Sequence, residues 1–437
     1  MMRALLAMVA SAALAACATT GESLATDTGM DAIADDYVLL QLTIGEKESG
    51  YIDAYYGPDV VRNRAVSDAA GQSLPQLSAR ALALRDRAAG LLRTSGGERS
   101  LEQRRARFLV AQLTAAITRL QMLQGAKLSF QDEAQGLFGV RPETPALSSF
   151  DPVIAEVDRL VPGSGPLWQR VDAFKKQFDI PADRLKPVMD AAIAECRSRT
   201  LARIAMPAGE RFELALVTDK PWSGYNYYQG DYHSKIEVNT DLPVRLDRAI
   251  DLGCHEGYPG HHVYNVLLER DLVKGRGWRE YAVYPLYSPQ SLIAEGSANY
   301  GIDLAFPGDD AVAFNTRVLA PLAGLPTADV ARFVALNQMT EKLTSARYTV
   351  ASRLLAGDIT EAEAADLLQK YQLESPERAA QSIRFIKTYR SYIINYGLGQ
   401  DMVRAHVEAA GANQEAKWRR MEQILSEPTL PEDLLAH

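Results

Sequence analysis

Histidine and cysteine are scarce in this chain, with six and three copies among 437 residues. Basic blocks are absent and the formal net charge is −8, so the average surface would repel a phosphate backbone and nucleic acid is not expected as a partner. Beyond the N-terminus no apolar run is long enough to span a bilayer. There is also no internal repeat, no low-complexity tract and no shift in composition that would mark a linker. These absences exclude a polytopic membrane protein and a solenoid. What is present is 47 % apolar residues, ample for a sizeable core, and the reading is one large domain rather than two.

The N-terminus, "MMRALLAMVASAALAACATT", has one arginine followed by an apolar run of the length of a signal-peptide core. Leu14-Ala15-Ala16-Cys17 resembles the lipobox of bacterial lipoproteins, whose cysteine is lipidated and becomes the first mature residue. On that resemblance 1–16 is a lipoprotein signal peptide, Cys17 carries the lipid, 17–29 is a tether and 30–437 is a single mainly helical domain. Alanine rather than aspartate at position 18 implies, in a Gram-negative host, the outer membrane facing the periplasm. The other reading is a secretory signal cut after an Ala-x-Ala site. The membrane is expected to be touched only through the anchor. Cys196 and Cys254 are then left in a compartment that permits disulfides. The sequence leaves their pairing open, and Cys254 reads as a buried thiol rather than a ligand.

Apolar residues recur at helical spacing over Ala32–Leu42, Leu77–Leu92, Leu101–Leu123, Val153–Leu160, Leu167–Phe178 and Leu185–Ile204. "YIDAYYGPD" (Tyr51–Asp59) interrupts them with a Gly-Pro turn and three tyrosines, which either line a cleft or pack at the turn. Between Phe212 and Val238 the texture becomes β-branched and aromatic, with "FELALV" and "KIEVNT" as strand candidates around the turn-rich "PWSGYNYYQGDYHS". The helical period then returns from Arg245, through Val263–Leu272, Ser291–Leu304, Asp329–Leu355, Glu361–Tyr371 and Glu377–Tyr392 to Asp401–Ala410.

Three of the six histidines fall in "CHEGYPGHH", Cys254–His262. In a regular helix, histidines at i and i+4 share a face and one zinc ion, and the glutamate after the first faces the attacking water. Here the partners of His255 are His261 at i+6, about 120° round a regular helix, and His262 at i+7, about 10.5 Å along it. Neither fits a regular helix. Pro259 has no N–H for the carbonyl of His255 and Gly260 admits unusual dihedrals, so a bulge at Tyr258–Gly260 is expected to swing the next histidine back. His261 is preferred as ligand because it needs the smaller excess absorbed, with His262 close behind. Glu295, in the apolar "SLIAEGSANYG", is the candidate third ligand, since an acid there is costly unless paired or bound to metal. Asn299, four residues on, shares its face and is placed to orient a ligand histidine.

"HEGYPGHH" followed by "EG-A-Y" resembles the bacterial domain of unknown function 885 family, which includes many lipoproteins and belongs to the gluzincin superfamily of zinc metallopeptidases. The family pattern is His-Glu-x-x-Pro-Gly-His-His, then Glu-Gly-Trp-Ala. The resemblance implies a mainly α, helical zinc-metallopeptidase-like fold with a small β-sheet beside the active-site helix. It implies zinc held by His255, His261 or His262, and Glu295, with Glu256 as general base. Two departures stand out: Ser297 replaces the tryptophan, and Ala351, Arg353 and Leu355 replace the Asp, Gly and His of the family's Arg-x-x-Val-Asp-x-Gly-x-His.

The chemistry expected of such residues is metal-assisted hydrolysis of a peptide substrate. A second oxyanion donor besides zinc is expected, with Tyr396 in "INYGLGQ" preferred over His233 or a tyrosine of "GYNYYQGDYHS". "SKIEVNT" is either an edge strand that pairs with extended peptide or a paired structural strand. A carboxypeptidase would need a cationic clamp, for which Arg347, Arg353, Arg384 and Arg390 are all candidates. The rival readings are a non-catalytic envelope lipoprotein that keeps the fold and binds a ligand or partner, and a zinc hydrolase of a non-peptide substrate.

Overall fold

The computed structural model describes residues 29–92, 100–219 and 224–435. The signal peptide, the lipidation site Cys17 and the tether up to residue 28 lie outside the described residues. Over the described residues the chain is mainly helical, with two small sheets. No helix among the described residues is long and apolar enough to cross a membrane.

The first helix, Gly29–Gly45, keeps Asp35 in solvent near its start and is buried on every side from Tyr37 to Ile44, as a helix entering the core must be. Around it the helices bury one stripe each. Leu74–Leu92 turns Leu77, Ala81, Leu84 and Ala88 inward, and Leu101–Leu123 starts at Ser100, whose hydroxyl accepts from the Gln103 amide. One large hydrophobic cluster runs from Met30 to Leu434, with a smaller one under Val350, Ile359 and Leu368. The stretch 329–355 divides into Val330–Glu341 and Ala346–Ala356, and Pro376–Tyr389 passes through a short 3₁₀ turn into Ile394–Glu408.

Strand β1 (Ile52–Tyr55) pairs antiparallel with β5 (Val283–Pro285). Strands β2 (Arg211–Val217), β3 (Gly224–Tyr228) and β4 (His233–Asn239) form a second sheet in the order β2-β4-β3, with β2 parallel and β3 antiparallel to β4. The alternating burial of Ser234, Ile236 and Val238 fits a strand with one face on the helical core. "SKIEVNT" is therefore the central strand, paired on both sides, and not an edge. The edge nearest the histidine motif is β3, which composition disguises as a turn.

Candidate metal centre

The motif is not a bulged helix but two helices joined by a break. Leu246–Leu252 widens into a π-helical turn over Gly253–Gly257, in which the Tyr258 amide reaches back to the Gly253 carbonyl (3.2 Å). The chain then turns through a cis Tyr258–Pro259 bond and Gly260, and a new helix begins at His261. A side chain at Gly260 would place its Cβ 1.8 Å from the His255 carbonyl oxygen, so only glycine lets the second helix fold back. As a result the rings of His255 and His261 lie 4.7 Å apart at right angles. Cys254 is bonded to Cys196 in the helix Ala182–Leu201, which fastens the turn to its neighbour.

Glu295 comes from the helix Pro289–Ala305. Its Oε2 lies 3.3 Å from His255 Nε2 and 3.7 Å from His261 Nε2. Bonds of about 2.0–2.1 Å in a tetrahedral zinc site space adjacent ligand atoms at about 3.4 Å, so these two separations fit one ion. The Glu295 Oε1 accepts from the Tyr392 hydroxyl (2.8 Å), whereas Oε2 is buried without a hydrogen-bond partner. An orphaned carboxylate oxygen between two imidazoles is what a site built for a cation presents. Among the described residues, His255, His261 and Glu295 form the group able to hold a metal.

Asn299 fixes the tautomer of His255. Its amide nitrogen donates to the Tyr396 carbonyl (2.8 Å), which leaves its carbonyl oxygen to accept from His255 Nδ1–H (2.8 Å). The lone pair of His255 is thereby on Nε2, facing Glu295. Burial would raise the Glu295 carboxyl, but His255 and His261 hold it well below the usual carboxylate range. Burial also opposes charge on His255, and Glu295, Glu256 and Asn299 outweigh it, so its pKa is raised.

His262 faces the other way. Its Nε2–H donates to Glu210 (2.9 Å) and its Nδ1 accepts from the Ser234 hydroxyl (2.8 Å), and burial lowers its pKa. Both ring nitrogens are thus occupied, and no lone pair of His262 faces the cluster. Glu256 is buried on the π turn, with Oε1 4.0 Å from His255 Nε2. It lies against β3: Asn226 donates to its backbone carbonyl (2.7 Å), and a Cβ at Gly224 would stand 3.5 Å from its Oε1. Tyr396 supplies the carbonyl for Asn299, and its phenol is near enough to Glu295 and Glu256 for their charges, after burial, to raise its pKa strongly. His233 instead pairs with Glu213 (3.2 Å). Arg347 and Arg390 are held by Glu374 and Glu133.

No protein-family model matches the chain, and no curated protein does. Among solved structures it is similar to one described as a "putative lipoprotein" from Colwellia psychrerythraea, at 14 % identity and a TM-score of 0.50, over 86 % of this chain and 68 % of that one. It also aligns with a structure described as BsuCP, at 11 % identity and a TM-score of 0.41, over 91 % of this chain and 88 % of that one. The first likeness is one of fold.

Two groups near the metal centre escaped the sequence reading. Tyr392 is one; the run Tyr389, Tyr392, Tyr396 at helical spacing was its only signal. Asp53 is the other. Burial pushes its carboxyl up to about 6, with the Tyr225 hydroxyl and His261 pulling back, and the charges of Glu295 and Glu256 also reach it. Nothing in its spacing ties it to a motif 200 residues away.

Proposed function

We propose that the protein is a zinc-dependent hydrolase of peptide bonds, lipid-anchored at Cys17 in the bacterial cell envelope. The observation that carries this reading is the buried Glu295 Oε2, which has no hydrogen-bond partner and faces His255 and His261 at 3.3 and 3.7 Å. The resemblance of "HEGYPGHH" to the gluzincin-like family with unassigned function supports the hydrolase, and the likeness of fold to a structure described as a "putative lipoprotein" supports only the envelope anchor.

His255, His261 and Glu295 would hold the ion, whose chemistry is to acidify a water molecule and polarise the amide carbonyl. Glu256, one residue from His255, takes the proton of the attacking water and delivers it to the leaving nitrogen. Asn299 keeps His255 in the tautomer that offers Nε2, and Tyr392 keeps Glu295 from rotating. Tyr396, held neutral by burial beside two carboxylates, is a donor for the oxyanion. Strand β3, the edge of the described sheet beside Glu256, offers backbone groups to an extended peptide.

The test is metal analysis of protein beginning after Cys17. Zinc is expected near one per chain, lost in His261→Ala and Glu295→Ala and retained in His262→Ala. Turnover of a peptide library should vanish in Glu256→Gln with zinc still bound. A second reading, a metal-binding lipoprotein without activity, is favoured by Ala351 and Leu355 in the places of the family's Asp and His; Ala351 is fully buried. Zinc without turnover in the unaltered protein would select it.

A further inference from the structure

Asp53 is an acid near the metal centre, within reach of the charges of His261, Glu295 and Glu256, that neither the ligand set nor the base accounts for. The register between β1 and β5 slips from Ile52↔Pro285 to Ala54↔Tyr284, which makes Asp53 the inserted residue of a β-bulge. Bulges re-aim a side chain out of the regular alternation and gather beside active sites. This one brings the carboxylate to the Tyr225 hydroxyl on β3, one position from both Gly224 and Asn226, which lie against Glu256. The charge of Asp53 also reaches Tyr284, Tyr392 and Tyr396.

Among the described residues no lysine or arginine forms an ion pair with Asp53, and its hydrogen bond comes from a neutral phenol. Asp53, Glu256 and Glu295 place three carboxylates around the metal centre, and the nearby Arg248 guanidinium, whose charge reaches Glu256 and Tyr396, is itself paired with Asp251. The tyrosines that feel the Asp53 charge, Tyr225, Tyr284, Tyr392 and Tyr396, carry rings of the kind that also attract cations. We propose that Asp53, with Tyr225 beside it, is a subsite for an ammonium group of the substrate next to the metal centre. The inference rests on the hydrolase reading and adds the substrate class. Two sources share this chemistry: a free α-amino terminus and a lysine-type side chain.

Three matched peptides separate them: one with a free amino terminus, its acetylated form, and an acetylated form with lysine in place of norleucine beside the scissile bond. Turnover is measured for wild type, Asp53→Asn, Asp53→Glu and Tyr225→Phe. Calorimetric binding of the same peptides is measured on zinc-loaded Glu256→Gln protein with and without Asp53→Asn. One ammonium peptide is expected to be preferred by about tenfold or more in kcat/KM and in binding, and which one identifies the source. The preference should fall towards unity in Asp53→Asn, weaken in Tyr225→Phe and partly return in Asp53→Glu.

Equal handling of all three peptides by wild type overturns the proposal. So does an undiminished preference in an Asp53→Asn protein of normal zinc content and melting temperature, or in Tyr225→Phe should Asp53→Asn not fold. Absence of measurable binding by any ammonium peptide overturns it as well. Zinc binding without turnover sinks the hydrolase reading alone, because calorimetry still reports on Asp53.

Discussion

Asn299 shows how one side chain sets the chemistry of another. Its amide cannot rotate without breaking the bond to the Tyr396 carbonyl, so His255 is presented to the ion in one tautomer. Replacing it with alanine frees that imidazole, and zinc affinity is expected to fall by about 10–100-fold, as titration against a zinc-competing dye would show. Gly260 is a harsher case. A methyl group there collides with the His255 carbonyl, so Gly260→Ala must shift the backbone, at a cost on the order of 3 kcal/mol or more in urea unfolding, with loss of zinc. Both residues were legible in the sequence, because Pro-Gly and the i, i+4 pair Glu295–Asn299 act within a turn or two. Asp53 and Tyr392 were not, because their roles come from tertiary approach across distant segments.

The segments themselves were read with uneven success, for a physical reason. Helices with a clean apolar stripe were found, whereas β3 was hidden by glycine, asparagine and tyrosines, residues that serve turns and edge strands alike. The junction between β2 and the motif helices depends on a polar contact that no periodicity reveals. Glu210, immediately before β2, accepts from His262, from Tyr258 (2.7 Å) and from Arg197 Nε (3.1 Å). Burial would raise its pKa, but these partners bring it from 4.5 to about 2. A depressed carboxyl stabilises the fold above its unfolded value and stops doing so as pH drops through its folded value. The lowered pKa of His262 acts in the same direction, beginning near its unfolded value of about 6.5. Stability should therefore decline on acidification from about pH 6.5 towards 2, and a Glu210→Gln variant, less stable at neutral pH, should lose the part of that slope below 4.5. Chemical denaturation across that range measures both.

The chain as a unit is fastened in ways that composition only hinted at. The Cys196–Cys254 bond closes a loop of 58 residues, which in the chain-entropy model restricts the unfolded state by about 4 kcal/mol. A Cys196→Ala/Cys254→Ala protein is expected to unfold at correspondingly lower denaturant, and reductant should shift the unaltered protein the same way. Since Cys254 adjoins His255, zinc should also dissociate faster from the reduced form, which a chelator competition would time. The carboxylate that completes the ligand set is steadied by a hydroxyl 97 residues further along. A ribosome must consequently carry synthesis past position 392 before that brace exists: products that stop short of it carry all three ligand side chains, yet hold Glu295 unsteadied, so such truncated chains would be poor competitors for scarce zinc.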